Sequence, residues 1–148
     1  MLKQLCLCLS AALLSPVLRA QLDAHTISLK AWTKTEGGAG GQLVYVSNLN
    51  NAGPGSLRAA LETEGARIVV FEVGGVIDLD GKQMQIKHPH ITVAGQTAPH
   101  PGITLIKGGI NIMTHDVIVQ HLMIRPGEYG RPKRSGGDHD GISTFGGA

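Results

Sequence analysis

Short apolar runs separated by polar turn residues recur between Ile68 and Gly127. Ile68-Val69-Val70-Phe71, Ile91-Thr92-Val93-Ala94 and Val117-Ile118-Val119-Gln120 begin 23 and then 26 residues apart. Between the first two lie Val76-Ile77-Asp78-Leu79 and Met84-Gln85-Ile86. The next interval answers with Ile103-Thr104-Leu105-Ile106 and Ile110-Asn111-Ile112-Met113. Each run is short, rich in β-branched residues and bounded by Gly, Pro, Asn or His, which predicts strands rather than helices. Three short strands per repeat cannot bury a face alone, but stacked as coils they share one continuous core. The expected fold is all-β, a right-handed parallel β-helix in which Ile68, Ile91 and Val117 are stacked neighbours.

The flanks fit the same plan. Glu36-Gly37-Gly38-Ala39-Gly40-Gly41 is free to adopt positive φ, yet no Lys-Ser/Thr follows and no helix opens on it. It reads as a tight turn into a first strand, Leu43 to Ser47, rather than a phosphate cradle. The turn formers Asn48 to Gly55 precede Ser56, which is placed to cap a helix. Leu57, Ala60 and Leu61 then form one apolar stripe, with Arg58 and Glu62 spaced i, i+4 on the outside and Gly65 as the stop. This short helix is expected to lid the open end of the core. The third repeat runs through His121-Leu122-Met123-Ile124 to Arg125-Pro126-Gly127, where Pro126 ends the strand. Ile142-Ser143-Thr144 looks like the next strand of that coil.

Composition changes the picture at the N-terminus. Lys3, the apolar stretch Leu5 to Leu14 and Leu18-Arg19-Ala20 have the layout of a cleaved secretory signal over 1–20, too short to span a bilayer. Cys6 and Cys8 fall inside it, so the mature chain is expected to have no disulfide framework or thiolate metal site. The chain carries 13 Lys+Arg and 11 Asp+Glu. Lys3 and Arg19 account for the whole excess, and the balance does not suggest a nucleic-acid partner. The expected organisation is a signal at 1–20, a lead-in at 21–36 and a β-helical part at 37–148. The product is expected to be a secreted monomer, with no membrane attachment after signal removal. Solenoids need a cap at each end, and Ser143 to Ala148 does not read as one, so the chain is expected to stop mid-fold.

Candidate chemistry gathers near the C-terminal end. Asp138 and Asp140, at i and i+2 of an extended segment, direct two carboxylates to one side. Hard oxygen donors converging on one spot suit Ca²⁺, although an Asp in a Gly-rich turn commonly caps its own backbone. Arg131, Lys133 and Arg134 precede the pair and could hold carboxylates of an acidic ligand, or simply form a solvated loop. His25, His88, His90, His100, His115, His121 and His139 show no His-Glu-x-x-His spacing on a helix, so zinc is not expected, and His88-Pro89-His90 reads as a loop pair. Ser56 and Ser143 have no triad context. Asp78, Asp80 and Asp116 read as turn residues, and Arg125 as a packing or pairing residue at a strand end.

Tyr45-Val46-Ser47-Asn48-Leu49-Asn50-Asn51-Ala52-Gly53-Pro54-Gly55-Ser56-Leu57-Arg58-Ala59-Ala60, Ala94-Gly95-Gln96-Thr97-Ala98-Pro99 and Arg125-Pro126-Gly127 closely resemble the pectate lyase superfamily. The resemblance implies a parallel β-helix, secretion, Ca²⁺ as cofactor and β-elimination of an acidic polysaccharide such as polygalacturonate. It implies that Asp138 and Asp140 are the first two calcium ligands, and that the catalytic arginine and later acidic ligands lie beyond Ala148. Two rival readings follow from the residues. Asp140-Gly141 echoes a β-helical glycoside hydrolase, which would need paired carboxylates and a water. A non-catalytic surface solenoid that binds glycan is the other.

Overall fold

The computed structural model describes residues 34–127, 132 and 140–146. The expected signal over 1–20 lies outside the described residues. The described elements are β1 (Gln42–Val46), α1 (Leu57–Glu62), β2 (Arg67–Phe71), β3 (Gly75–Asp78), β4 (Met84–Ile86) and β5 (Ile91–Ala94). They continue with a 3₁₀ turn (Gly95–Thr97), β6 (Ile103–Ile106), β7 (Ile110–Ile112), β8 (Val117–Gln120), β9 (Leu122–Arg125) and β10 (Ile142–Thr144). Three sheets have the orders β1-β2-β5-β8, β3-β6-β9 and β4-β7-β10. Each pairing within them is parallel. Successive coils thus give one strand to each sheet, and the fold is a parallel β-helix.

The core is built by columns. Val44, Val69, Val93 and Val119 are in register in the first sheet. Ile77, Leu105 and Ile124 align in the second, and Ile86 and Ile112 in the third. Together with Phe71, Leu79, Met84, Ile91 and Ile103 they form one cluster. Burying an aliphatic side chain of this size contributes about 1.5–3 kcal/mol, so a repeated column is what a weakly patterned strand needs to hold its register.

The expected stack of Ile68, Ile91 and Val117 is corrected by one residue in the first coil. Ile91 pairs with Val117, but Arg67 pairs with Ile91 and Ile68 pairs with Thr92. Neighbouring side chains on a strand point to opposite faces, so the offset turns Ile68 away from the main core. It joins Val70, Ala94 and Leu43 in a second, smaller cluster. The apolar run in sequence includes both faces of β2, and all five of its residues are buried.

The glycine run explains how that second face is covered. The Gly38 N–H donates to Thr92 Oγ1 at 3.0 Å, and a Cβ on Gly38 would sit 1.8 Å from the Arg67 carbonyl oxygen. Gly37 would place one 2.4 Å from Thr92 Oγ1. Beyond forming the turn closed by Gly41 N–H on the Gly38 carbonyl at 2.9 Å, the run is a strap lying against the sheet.

Helix α1 forms as the sequence predicts. Ser56 Oγ accepts from Ala59 N–H at 3.3 Å and donates to the Gly53 carbonyl at 2.7 Å. Leu57, Ala60 and Leu61 enter the main core. The i, i+4 arrangement of Arg58 and Glu62 is not what Arg58 uses. Its guanidinium donates to the Asn51 carbonyl at 3.0 Å, Asn51 Oδ1 at 2.8 Å and the Gln83 carbonyl at 2.9 Å. Those bonds fasten the Asn-rich loop and the start of β4 to the lid.

Candidate metal-binding face

Asp140 lies two residues before β10, at the edge of the β4-β7-β10 sheet. The turn that carries it is held from below: Ile110 N–H donates to the Gly141 carbonyl at 2.9 Å. Gly109 makes the close approach possible, because a Cβ there would meet the Asp140 carbonyl oxygen at 2.4 Å. The Asp140 side chain is exposed. Ser143 Oγ donates to its Oδ2 at 3.2 Å, and among the described residues no other side chain or N–H is bonded to this carboxylate, whose lone pairs suit a solvent or ligand donor. Ser143 therefore supports an acid, and Ser56 caps a helix.

The donor that Asp140 offers is a hard carboxylate oxygen on an accessible surface, which fits Ca²⁺ chemistry. Asp138, Arg131, Lys133 and Arg134 lie outside the described residues. The same sheet also borders a cleft of about 250 Å³ between α1 and β4, lined by Arg58, Glu62, Gln83, Gln85, Lys87 and His88. Gln85, Asn111 and Ser143 are consecutive members of one column on this sheet.

The turns before β5 and β8 bring a second set of groups together. His90 and Asp116 both have left-handed backbones, φ +57° and +53°, and immediately precede the paired residues Ile91 and Val117. His115 Nδ1 is 2.8 Å from Asp116 Oδ2, and His90 Nδ1 is 3.8 Å from the same oxygen. The two imidazoles meet edge to face at a centroid distance of 5.6 Å. The hydrogen bond from His115 holds the Asp116 carboxyl below the usual carboxylate range. The charges of His90 and His115 and the Glu36 N–H act in the same direction, and desolvation opposes them.

Asp80 and Asp116 are turn residues as expected, each with positive φ. Asp78 ends β3 and forms an ion pair with Lys107 on the next coil. Arg125 ends β9, with its Nη2 3.5 Å from Met123 Sδ. Among the described residues, no helix is long and apolar enough to cross a membrane.

No protein-family model matches the chain. Curated relatives do. A protein of Aspergillus flavus named probable pectate lyase C is 44% identical over 108 residues, 72% of this chain and 24% of the relative. The protein of that name from Aspergillus oryzae gives the same figures. That from Emericella nidulans is 42% identical over 101 residues, 68% of this chain and 23% of its own length. Over this stretch the chain is similar to proteins named pectate lyase. It spans about a quarter of the length of the curated relatives it matches.

This similarity is consistent with the β-helix, but two features are not legible in the sequence. Arg67 is fully buried and was hidden because it stands at the edge of an apolar run. His90 precedes the adjacent His115 and Asp116 by about one repeat, so a comparison of turns one period apart pairs them.

Proposed function

We propose that the chain contributes part of a secreted, Ca²⁺-dependent pectate lyase that cleaves a galacturonate-containing polysaccharide by β-elimination. The observation that carries this reading is the 44% identity to probable pectate lyase C across 72% of the chain. An exposed carboxylate at Asp140, held by Ser143, supports it.

In this reading Asp138 and Asp140 hold the ion, and Arg131, Lys133 and Arg134 orient uronate carboxylates through charge-assisted hydrogen bonds. The chemistry that Ca²⁺ supplies when bound is withdrawal of charge from a uronate carboxylate, which acidifies the C–H bond α to it. Loss of that proton and departure of the glycosidic oxygen leave a double bond on one fragment and a hydroxyl on the other. The superfamily resemblance assigns the proton acceptor to no residue of this chain. Two carboxylates are few against the about 6–8 oxygen ligands that Ca²⁺ takes, so the 148-residue chain alone is expected to show little turnover.

A chimera tests the proposal. Residues 37–148 replace the matching segment of the Aspergillus oryzae relative, and the secreted, folded product is incubated with polygalacturonate and Ca²⁺. The expected result is ultraviolet absorbance from unsaturated uronate, abolished by a chelator and by Asp138→Asn with Asp140→Asn. New reducing ends without a double bond would establish a hydrolase instead. A folded chimera that binds the polymer without cleaving it would favour a glycan-binding solenoid.

A further inference from the structure

We infer that His90, His115 and Asp116 form a binding site for a divalent transition ion of the Zn²⁺ class, clasping two successive coils. The site uses none of the residues of the Ca²⁺ reading and does not depend on it.

Three observations support the assignment. First, one ligand atom from each of the three residues can be chosen so that all lie within 4.8 Å of one another. Tetrahedral Zn²⁺ with bonds near 2.0–2.1 Å places its ligands about 3.3 Å apart. The present spacings to Asp116 Oδ2, 2.8 Å from His115 and 3.8 Å from His90, lie on either side of that value.

Second, the backbone is fixed while the rings can adjust. His90 and Asp116 precede paired residues on adjacent strands, and the Ile91 N–H donates to the Asp116 carbonyl at 3.1 Å. Coil stacking therefore sets their separation at one strand spacing, about 4.8 Å. The side chains of His90 and His115 are 48% and 62% exposed, so modest rotations can converge the donors without disturbing the core.

Third, the donor chemistry discriminates among metals. Two imidazole nitrogens and one carboxylate match Zn²⁺, Cu²⁺ or Ni²⁺, whereas Ca²⁺ and Mg²⁺ take oxygen ligands. Three protein ligands leave a position for water. The ion would tie the turn before β5 to the turn before β8, adding a side-chain link to the backbone bond from Ile91 N–H to the Asp116 carbonyl that already joins them.

The test is calorimetric titration of ZnCl₂ into the full chain with millimolar Ca²⁺ present. One Zn²⁺ per chain is expected. His90→Asn and Asp116→Asn are suitable variants because Asn tolerates the left-handed backbone at both positions. Each, like His115→Gln, is expected to weaken binding at least about tenfold, the scale on which metal sites respond to loss of a supporting group. His88→Ala is expected to leave binding unchanged. Equal affinity in the wild type and His90→Asn, or loss in His88→Ala as large as in His90→Asn, would overturn the site. In the unaltered chain, one equivalent of Zn²⁺ should shift the ring resonances of His90 and His115 but not those of His88 and His100. Shifts spread evenly over all the histidines would also overturn it.

Discussion

Arg67 Nη2 donates to the Leu61 carbonyl at 2.9 Å, joining the first residue of β2 to the last turn of α1. The same guanidinium reaches the carbonyls of Gly65 at 2.9 Å, Pro89 at 3.2 Å and His88 at 3.3 Å. Arg67 is completely buried, and its hydrogen bonds are to carbonyl dipoles. Burial lowers its pKa, yet a guanidinium stays charged at any ordinary pH. Only its Nε lacks a partner.

Arg67→Met is expected to lower stability by about 2–4 kcal/mol, because several carbonyls lose their donor inside the fold. Arg67→Lys should not restore it, since a compact ammonium cannot reproduce the planar fork. Urea denaturation followed by circular dichroism measures both. A midpoint unchanged in Arg67→Met would show that the carbonyls find other partners.

Ser56→Ala removes the acceptor for Ala59 N–H and should cost about 1 kcal/mol, with Ser56→Gly milder. The loss is local, so it should appear as faster amide exchange in α1 before any change in β5 or β8.

Gly38 and Gly40 make a matched comparison. Gly38→Ala drives a methyl into the Arg67 carbonyl at 1.8 Å and should detach the strap, seen as protease cleavage near residues 36–41. Gly40 has φ +73° with open space around it, so Gly40→Ala should cost only about 1 kcal/mol of backbone strain. Equal protease resistance in both variants would contradict the close packing.

The Asp78–Lys107 pair gives a pH signature. Its Lys107 hydrogen bond, followed by the Asp80 N–H, lowers the Asp78 pKa in the folded chain. A depressed folded pKa means that the contribution is complete above the unfolded value, about 3.9, and vanishes as pH falls through the lowered one. Wild type should therefore exceed Asp78→Asn in stability at neutral pH, and the two should converge in acid. Both partners are exposed, so the gap is small and should narrow in high salt. Parallel denaturation curves at neutral and acidic pH, with and without salt, measure it.

Much of this architecture was legible because stacking imposes a period on apolar residues. The ranges of β4, β5, β6, β8 and β10 fall where the runs predict them. The errors arise where stacking acts on something other than hydrophobicity. At Arg67 a charge occupies a core-edge position, so the apolar run beginning at Ile68 misplaced the column by one residue. The helix pattern alone does not reveal the partners of Arg58, which come from the Asn51 loop and from the turn just before β4. His90 and Asp116 belong to turns, where the period is carried by left-handed backbone rather than by side-chain type. Asp140 was visible from its spacing to Asp138 and from the resemblance, but the support from Ser143 and the space left by Gly109 are three-dimensional facts.

The pairing of Ile91 with Val117 also makes the surface sensitive to the number of repeats. Deleting the whole coil 91–116 would keep parallel ladders and a filled interior. It would nevertheless remove Asp116 from beside His90. Coil copy number, to which the interior is indifferent, is thus recorded on the outside by which imidazole meets which carboxylate.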